Sequence, residues 1–501
     1  MNIVLHGVML SFVFQHVITG LAYAERDVFD LGGGDCSVEE RLKLIRQKNI
    51  PYTIKKPGEY RLAETVKYHG PGAAITIHAD DVKLNLDSSS IILTSSSATG
   101  ILVHDVSKFV IEGGAIVNEH VGAQSGFGIH ILNAAHGLIK NVLTSYHLDG
   151  LLVENSHDIH AGASQFWRAE GAGAAVLKST NITFDASLFA DSGNGLIFSS
   201  TNTDCQVLNS EFPSSTFSNL YVQQINGLLV RGCLFNNGAG NPSKANLIQL
   251  GDALPAQTCN DVIIKECTII NRPAHSPVLG NTSPEGIGIY QGSGFVVEEC
   301  MIDTDNTNQD PAADLSGIHV SNPGLGSGTI ASNVVIRLCV VQGPATNGLY
   351  PDIGSSGVVI EECLTTGAQK NGIFLAGTTA SMVRNNIVVN NGTNGIFLGE
   401  TSVGNAVSGN VVSSNGFILT STSLPPAGNG ISIALDSTKN LIQRNEVFNN
   451  AVDGISDQGT GNQIYYNTAY GNGAQNYNAA TDTIIVSHPG DPARAAENIA
   501  P

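Results

Sequence analysis

The hydrophobic positions of this chain recur with a nearly fixed period. A segment of the form V/I-x-x-[C/N/S]-x-apolar repeats at steps of 22 to 24 residues, with Ser164, Ser187, Ser210 and Cys233 as successive central residues. Each unit also contains a turn followed by a short apolar run, such as Asn-Gly-Leu-Ile-Phe at 194–198. Short strands of this kind cannot bury a face alone, but stacked repeats can. The pattern therefore predicts a solenoid of parallel, in-register strands.

The central [C/N/S] positions form one column, whose rungs should lie ~4.8 Å apart inside the solenoid. Asn side chains in such a column can pair with the rungs above and below, and Cys is a small hydrophobe that suits the same slot. Parallel side-chain directions suit disulfide geometry poorly, so we expect free, buried thiols in the column. Its Cys and Asn members are Cys233, Cys267, Cys300, Cys339, Cys363, Asn386, Asn410, Asn445 and Asn467. The other cysteines, Cys36, Cys205 and Cys259, lie outside the column and are not assigned partners.

Two N-terminal segments carry a family resemblance. Residues 54–62 (Ile-Lys-Lys-Pro-Gly-Glu-Tyr-Arg-Leu) and 81–86 (Asp-Val-Lys-Leu-Asn-Leu) resemble the entry of pectate-lyase-like right-handed β-helix proteins, and the later coils resemble NosD-like repeats. The resemblance covers about residues 50–475. It implies an all-β fold, a single right-handed parallel β-helix of roughly 14–15 coils with a short N-terminal cap. It implies no single activity, because this superfamily includes lyases, hydrolases, epimerases, adhesins and tailspikes.

The ends of the chain differ from the repeats. An apolar run from Val8 to Val17 and the small-x-small sequence at 22–24 predict a signal peptide over 1–24, and hence a secreted, periplasmic or cell-surface protein. Residues 25–50, with a short helix at 38–47, should cap the β-helix at 51–475, and 476–501 should form a C-terminal cap or tail. No later apolar stretch is long enough to span a bilayer.

The formal net charge of −19 limits the classes of partner that the protein can bind. It disfavours nucleic acid, whose phosphates are neutralised by Lys and Arg, and also anionic membranes. A neutral or Ca²⁺-bridged polymer suits this charge better than a bare polyanion.

One outward-facing column is unusually apolar. If the turn glycine of each coil is position zero, position two points outward. Exposed apolar stripes of this length indicate a ligand, a partner or a covering segment. From Ile197 onward, the predicted members are Tyr221, Ile248, Gly288, His319, Tyr350, Phe374 and Phe397.

Long loops flank the middle of this column. The gap from the central residue to the next turn glycine is usually 8 or 9 residues, but it is 19 from Cys267 to Gly286 and 17 from Cys300 to Gly317. Long loops on a rigid scaffold often form binding sites. We therefore predict a walled groove with Gly288 as a notch in its floor.

Three interpretations of the column remain open. A polysaccharide or cell-surface glycan could stack on Tyr221, Tyr350, Phe374 and Phe397. The polar groups of the groove floor would then be His319 and Tyr290. Alternatively, the column mediates homo-oligomer formation in an adhesin-like protein, or a segment of the same chain covers it.

Candidate chemistry lies in the acidic loop beside this groove. His319, Asp303, Asp305, Asp310 and Asp314 are candidate catalytic residues, since paired carboxylates perform acid/base work in glycosidases. Asp303, Asp305 and Asp310 are also candidate Ca²⁺ ligands, and a solvated turn is the alternative. The chain lacks the Asp-Pro-His-Asp motif of mannuronan epimerases and a complete polygalacturonase motif set.

Histidines are also frequent in the lower coils. His157 and His160 stand beside Asp158, but no helix or hairpin spacing supports a metal site there. We interpret these side chains as surface residues.

Overall fold

The structure is a computed structural model. It describes residues 42–120, 122–237, 246–251, 258–271, 285–304, 316–321, 331–343, 345–417, 428–480 and 484–486.

Most repeats contribute one strand to a first sheet and two strands to a second, and every strand pairing between coils is parallel. Two lower coils instead contribute one long strand each to the second sheet, Val82–Leu93 and Ser107–Asn118. Ile318, for example, lies between Ile287 of the coil below and Leu349 of the coil above. The chain is a right-handed parallel β-solenoid of about 15 turns, as the repeat predicts.

The sheet with one strand per coil, named sheet B, carries the apolar column. Its strands are Tyr52–Ile54, Gly72–Ile77, Ala98–His104, Phe127–Leu132, Asp149–Glu154, Ala172–Leu177, Asn194–Ser199, Leu220–Val222, Ile248–Leu250, Ile287–Ile289, Ser316–Val320, Asn347–Pro351, Ile373–Ala376, Ile396–Gly399, Ile431–Ile433, Ile455–Asp457 and Tyr477–Ala479.

The sheet with two strands per coil, named sheet A, forms the rest of the wall. Its strands are Lys43–Ile45, Gly58–Leu62, Val66–Tyr68, Val82–Leu93, Ser107–Asn118, Ala135–Lys140, Leu143–Ser145, His157–Gly162, Gln165–Trp167, Thr180–Asp185, Leu188–Ser192, Asn202–Leu208, Glu211–Ser215, Ile225–Arg231, Leu234–Asn237, Cys259–Lys265, Thr268–Asn271, Gly292–Glu298, Met301–Thr304, Ser332–Arg337, Val340–Gln342, Val359–Glu361, Leu364–Thr366, Met382–Arg384, Ile387–Val389, Ala406–Ser408, Val411–Ser413, Leu441–Gln443, Glu446–Phe448, Gln463–Tyr465, Thr468–Tyr470 and Ile484–Val486.

The core is a continuous column of inward side chains. Alternate residues of each strand point inward, so equivalent residues of successive coils stack on one another. Phenylalanine rings stack in this way, with centroids 4.6 to 5.2 Å apart, at Phe166, Phe189, Phe212 and Phe235.

The [C/N/S] column is an internal ladder, as predicted. Asn386 Nδ2 donates to Asn410 Oδ1 at 2.9 Å, and the same bond recurs from Asn410 to Asn445 and from Asn445 to Asn467. A second ladder that we did not predict has the same amide pairing and consists of Asn391, Asn415, Asn450 and Asn472.

The five column cysteines are free and buried, which confirms the expectation. Their thiols donate to main-chain carbonyls, as Cys300 Sγ does to Glu298 O at 3.2 Å. Cys205 and Cys259 are also free and buried, and burial raises the pKa of each thiol to about 12. Cys36 lies outside the described residues.

The predicted N-terminal helix at 38–47 is wrong over its described part. Lys43–Ile45 forms a strand of sheet A paired with Gly58–Leu62, and the only helical segment among the described residues is the 3₁₀ turn Gln47–Asn49. A strand satisfies the backbone groups at the open end of the sheet, which a helix would leave unpaired. Where the structure is described, no helix is long and apolar enough to cross a membrane.

Candidate functional site

The outward column of sheet B follows the predicted order with one exception. Strand register places Tyr350 between His319 and the position of Phe374, and Phe374 beside Phe397. Ile248, however, pairs with Leu220 and Ile287 inside the solenoid and is fully buried.

Gln249 occupies the outward position of that coil, between Tyr221 and Gly288. The sequence count began at Asn246, whereas the register sets Leu247 opposite Gly286. Because strand side chains alternate, this shift of one residue moves the outward position from Ile248 to Gln249.

The upper part of this face is a continuous stack of rings, which we name the aromatic column: His319, Tyr350, Phe374 and Phe397. Successive centroids are 4.7, 5.0 and 5.0 Å apart and the planes deviate by 5°, 6° and 20°. Rings on strands ~4.8 Å apart stack face to face when they share a rotamer.

The stacking changes how a sugar could bind. The faces of the inner rings cover one another, so these rings present their edges to the outside. At the upper end of the aromatic column, the equivalent position in the next coil is Ser432, whose side chain is too small to cover the ring face of Phe397. Tyr221 lies apart from the column, and its hydroxyl accepts a hydrogen bond from Gln223.

At the lower end of the aromatic column, His319 contacts two carboxylates. Its Nδ1 is hydrogen-bonded to Glu285, and its Nε2 lies 3.4 Å from Asp352 Oδ2. Ser321 Oγ donates to the same Asp352 oxygen at 3.3 Å. Glu285, His319 and Asp352 come from three successive coils, and we name them the His319 cluster.

The cluster is only partly accessible. The exposed fractions of the side chains are 6% for Glu285, 14% for His319 and 23% for Asp352. Asp352 is therefore the carboxylate that an outside ligand would meet first.

The carboxylates hold His319 in its protonated form. Burial by itself would lower the pKa of His319, but Glu285 and Asp352 outweigh that effect and raise it to about 10. For the Asp352 carboxyl, burial acts in the opposite direction and would raise the pKa. The contacts of Asp352 with His319 and with the Ile353 amide outweigh burial and hold this pKa below its usual value. With one imidazolium and two carboxylates, the His319 cluster as a whole has a formal net charge of −1.

Tyr290 extends the cluster towards the coils below. Its hydroxyl donates to Glu285 Oε2 at 3.2 Å and accepts from Asn246 Nδ2 at 2.5 Å. Burial raises the pKa of Tyr290 well above its usual value, and the nearby Glu285 acts in the same direction. The phenol is therefore neutral at physiological pH and can act as a donor.

Gly288 is not an open notch, contrary to the prediction. A Cβ there would lie 2.4 Å from Asn246 Nδ2 and 2.8 Å from the Tyr290 hydroxyl. The missing side chain is what lets Asn246 and Tyr290 meet above this strand.

Sequence reasoning missed Glu285 and Asp352. Glu285 occupies the turn position two residues before the inward residue Ile287. Asn347 and Asn371 fill the same position in later coils, so an acidic residue in place of Asn was a usable signal. Asp352 follows Tyr350 by two residues and therefore continues on the same face.

The acidic loop is only partly described. Asp303 belongs to the sheet A strand Met301–Thr304, between Ile270 and Gln342, and hence not to the sheet B face. The residues outside the described part include Asp305, Asp310 and Asp314, together with the long loops at 238–245, 252–257, 272–284 and 322–330. The walls of the groove and the Ca²⁺ site remain predictions.

Sheet B has a marked charge bias. None of its described strands contains a Lys or Arg residue. The His319 imidazolium on these strands is already paired with two carboxylates, so the described strands offer no unpaired fixed positive charge to an acidic ligand.

Two family models match the chain. The model described as periplasmic copper-binding protein (NosD) matches residues 260–491, and the model described as right-handed β-helix region matches residues 69–212. These two matches confirm the predicted resemblance to right-handed parallel β-helix repeat proteins of the pectate-lyase-like and NosD-like type. Among curated proteins, none matches the sequence.

The NosD description raises the question of copper. Within residues 260–491, the described part holds no three His, Cys, Asp or Glu side chains whose ligand atoms lie within 4.8 Å of one another. The described residues of this region therefore do not fit a copper centre.

Several solved structures are similar to the chain at low identity. The Dettilon tailspike protein is 11% identical (TM-score 0.34), with 80% of this chain and 63% of the tailspike covered. The periplasmic alginate epimerase AlgG is 12% identical (TM-score 0.28; 83% and 77%), and PfbA, a surface adhesin of Streptococcus pneumoniae, is 10% identical (TM-score 0.37; 81% and 84%). The chain thus spans less than two thirds of the tailspike, and these likenesses carry no information on activity.

Proposed function

We propose that this protein binds a neutral polysaccharide along sheet B, with the His319 cluster and the aromatic column at the centre of the site. The observation that carries the proposal is their continuity. The carboxylates of the His319 cluster and the rings of the aromatic column lie on successive coils of one outward face. Sugar sites combine these features, since apolar surface packs on the ring and a few fixed polar groups bind the hydroxyls.

The charge of the site favours a neutral ligand. The cluster carries one net negative charge, and the sheet B strands that the structure describes contain no Lys or Arg. A uronate polymer would bring further negative charge to a site whose only described cation, the His319 imidazolium, is already paired with Glu285 and Asp352. Hydroxyl groups, in contrast, donate well to carboxylates such as Asp352.

The same features assign roles within the site. Both ring nitrogens of His319 face carboxylates, so His319 serves as a positioning residue that fixes Glu285 and Asp352. Asp352, the most exposed member, is the group that would contact the sugar.

Should the bound polymer be processed, the chemistry of this site favours hydrolysis. Asp352, whose pKa is lowered, can act as the base or nucleophile of a glycosidase, and the general acid would be a group other than the two carboxylates of the cluster. Lyases and epimerases instead remove a proton beside a uronate carboxylate, which calls for a neutralising cation.

A glycan array with matched variants tests the proposal. The wild-type chain should bind neutral glycans, and the Tyr350→Ala/Phe374→Ala double variant should bind about 5-fold to 150-fold more weakly, because each of the two aromatic contacts contributes about 0.5–1.5 kcal/mol. Tyr470→Ala is the control, since Tyr470 stacks on Phe448 with centroids 5.1 Å apart but belongs to sheet A.

Each contrary result has a defined meaning. If no glycan binds, the carbohydrate proposal is wrong. If the wild-type mass rises with concentration and the double variant stays monomeric, the column mediates self-association instead. If uronates bind best, the argument from charge fails. Release of reducing ends that is lost in Asp352→Asn would extend the proposal to hydrolysis.

We also propose that the protein is exported, as the apolar run at 8–17 and the cleavage pattern at 22–24 indicate. N-terminal sequencing of the mature protein should begin near Glu25. A mature chain that retains Met1 in the cytoplasm would contradict this.

A further inference from the structure

A second group of titratable side chains lies on sheet A in the lower coils. His136 belongs to the strand Ala135–Lys140, and His157 and Asp158 belong to the strand His157–Gly162 of the next coil. Ala135 pairs with His157, so His136 lies beside Asp158. This arrangement brings two imidazoles and one carboxylate to one place on the surface.

The three side chains converge on one oxygen. His157 Nδ1 lies 3.0 Å and His136 Nδ1 lies 3.2 Å from Asp158 Oδ2. The three candidate ligand atoms all lie within 4.8 Å of one another.

Local backbone conformation explains this convergence. Neighbouring residues of a regular strand point to opposite faces, so His157 and Asp158 would normally not meet. Asp158 adopts a left-handed conformation with φ of 55°, and His136 does the same with φ of 51°. Each interrupts the alternation at the same level of adjacent coils.

The geometry suits a small metal ion. Ligands about 2.0–2.1 Å from a tetrahedral Zn²⁺ lie about 3.3 Å from one another. The two nitrogen–oxygen distances are already close to that value. Asn181 Nδ2 donates to the other oxygen, Asp158 Oδ1, at 2.6 Å, the kind of outer contact that orients a metal-binding carboxylate.

Ions can reach the site from solvent. The side chains of His136 and His157 are 46% and 55% exposed. Imidazole nitrogen favours late first-row transition metals over Mg²⁺ and Ca²⁺, which prefer oxygen ligands.

We propose that His136 Nδ1, His157 Nδ1 and Asp158 Oδ2 form a binding site for a divalent transition-metal ion such as Zn²⁺, with water completing the coordination. The NosD match begins at residue 260 and so does not cover these residues. We predicted that these histidines are surface residues because their spacing fits neither a helix nor a hairpin. In the structure, stacked coils and left-handed residues bring the ligands together instead.

Titration of the tag-free protein with Zn²⁺ by calorimetry tests the site. We expect one ion per chain with micromolar affinity, and binding at least tenfold weaker in His136→Ala and His157→Ala. His104→Ala is the matched control. Its Nδ1 lies 3.3 Å from the adjacent Asp105, as in the His157–Asp158 pair, but it is not part of a three-ligand group.

A spectroscopic measurement reports the ligands directly. Co²⁺ should give the visible absorption of a tetrahedral site in wild-type protein and in His104→Ala, but not in His157→Ala. The proposal is overturned if wild-type protein binds no Zn²⁺ at millimolar concentration. It is also overturned if His136→Ala and His157→Ala bind as wild type does, if His104→Ala abolishes binding, or if Mg²⁺ displaces Zn²⁺ at equal concentration.

Discussion

Replacing Asn410 by Ala should destabilise the β-helix strongly, although Asn410 is far from the proposed site. Its Nδ2 donates to Asn445 Oδ1 at 2.9 Å and to Val383 O at 3.0 Å. Its Oδ1 accepts from the Asn386 backbone amide and from Asn386 Nδ2, both at 2.9 Å. The side chain is fully buried, so water does not reach these partners in the native protein.

The magnitude follows from those four hydrogen bonds. Asn445 Oδ1 would still accept from the Asn410 amide, and Asn386 Nδ2 would still donate to Ile360 O, so two of the four partners keep a hydrogen bond. The Asn386 amide and the Val383 carbonyl would each lose a partner at a cost of about 1–3 kcal/mol, which gives about 2 kcal/mol even at the lower limit. Asn410→Ser should cost about half as much. Serine fills the same column in earlier coils, where Ser187 Oγ accepts from the Ser164 amide at 3.4 Å.

Guanidinium denaturation of the two variants and of Asn226→Ala, an exposed control, measures the effect. A surface change of this kind should stay within about 0.5 kcal/mol of wild type. Solenoid coils interact mainly with their neighbours, so hydrogen exchange should accelerate most at the backbone amide of Asn386. If Asn410→Ala is no less stable than Asn226→Ala, the ladder does not stabilise the fold as we argue.

Three further predictions concern the His319 cluster and the thiols. The folded pKa of His319, about 10, lies above its ordinary value of 6.5, so its contribution to stability is complete below pH 6.5 and is lost as pH rises through 10. Wild-type protein should therefore lose more unfolding free energy between pH 7 and 10 than His319→Gln, and equal losses would contradict the ion cluster. Gly288→Ala should displace Tyr290 from Glu285 and weaken glycan binding in the array, while unchanged affinity would remove Tyr290 from the site. In a Cys36→Ser variant, a thiol reagent should react with the native protein slowly and with the unfolded protein rapidly, and fast native labelling would disprove burial of Cys205, Cys233, Cys259, Cys267, Cys300, Cys339 and Cys363.

The sequence by itself determined the architecture. Each coil must stack on its neighbours to bury its strands, so the repeat, the Asn ladder and the free thiols are all visible as periodic positions. Most members of the outward column follow from the same count. The exception, Ile248, shows the limit, because an error of one residue at a turn exchanges the two faces of a strand.

Only the tertiary structure decided which side chains meet. His319 stands 34 residues from Glu285 and 33 from Asp352, separations that include long loops and differ from the 22 to 24 residues of the basic repeat. A repeat period assigns residues to a face, but loop lengths and left-handed turns set which rungs coincide and where each side chain points. For that reason the His319 cluster and the His136–His157–Asp158 group could be located only once the coils were stacked.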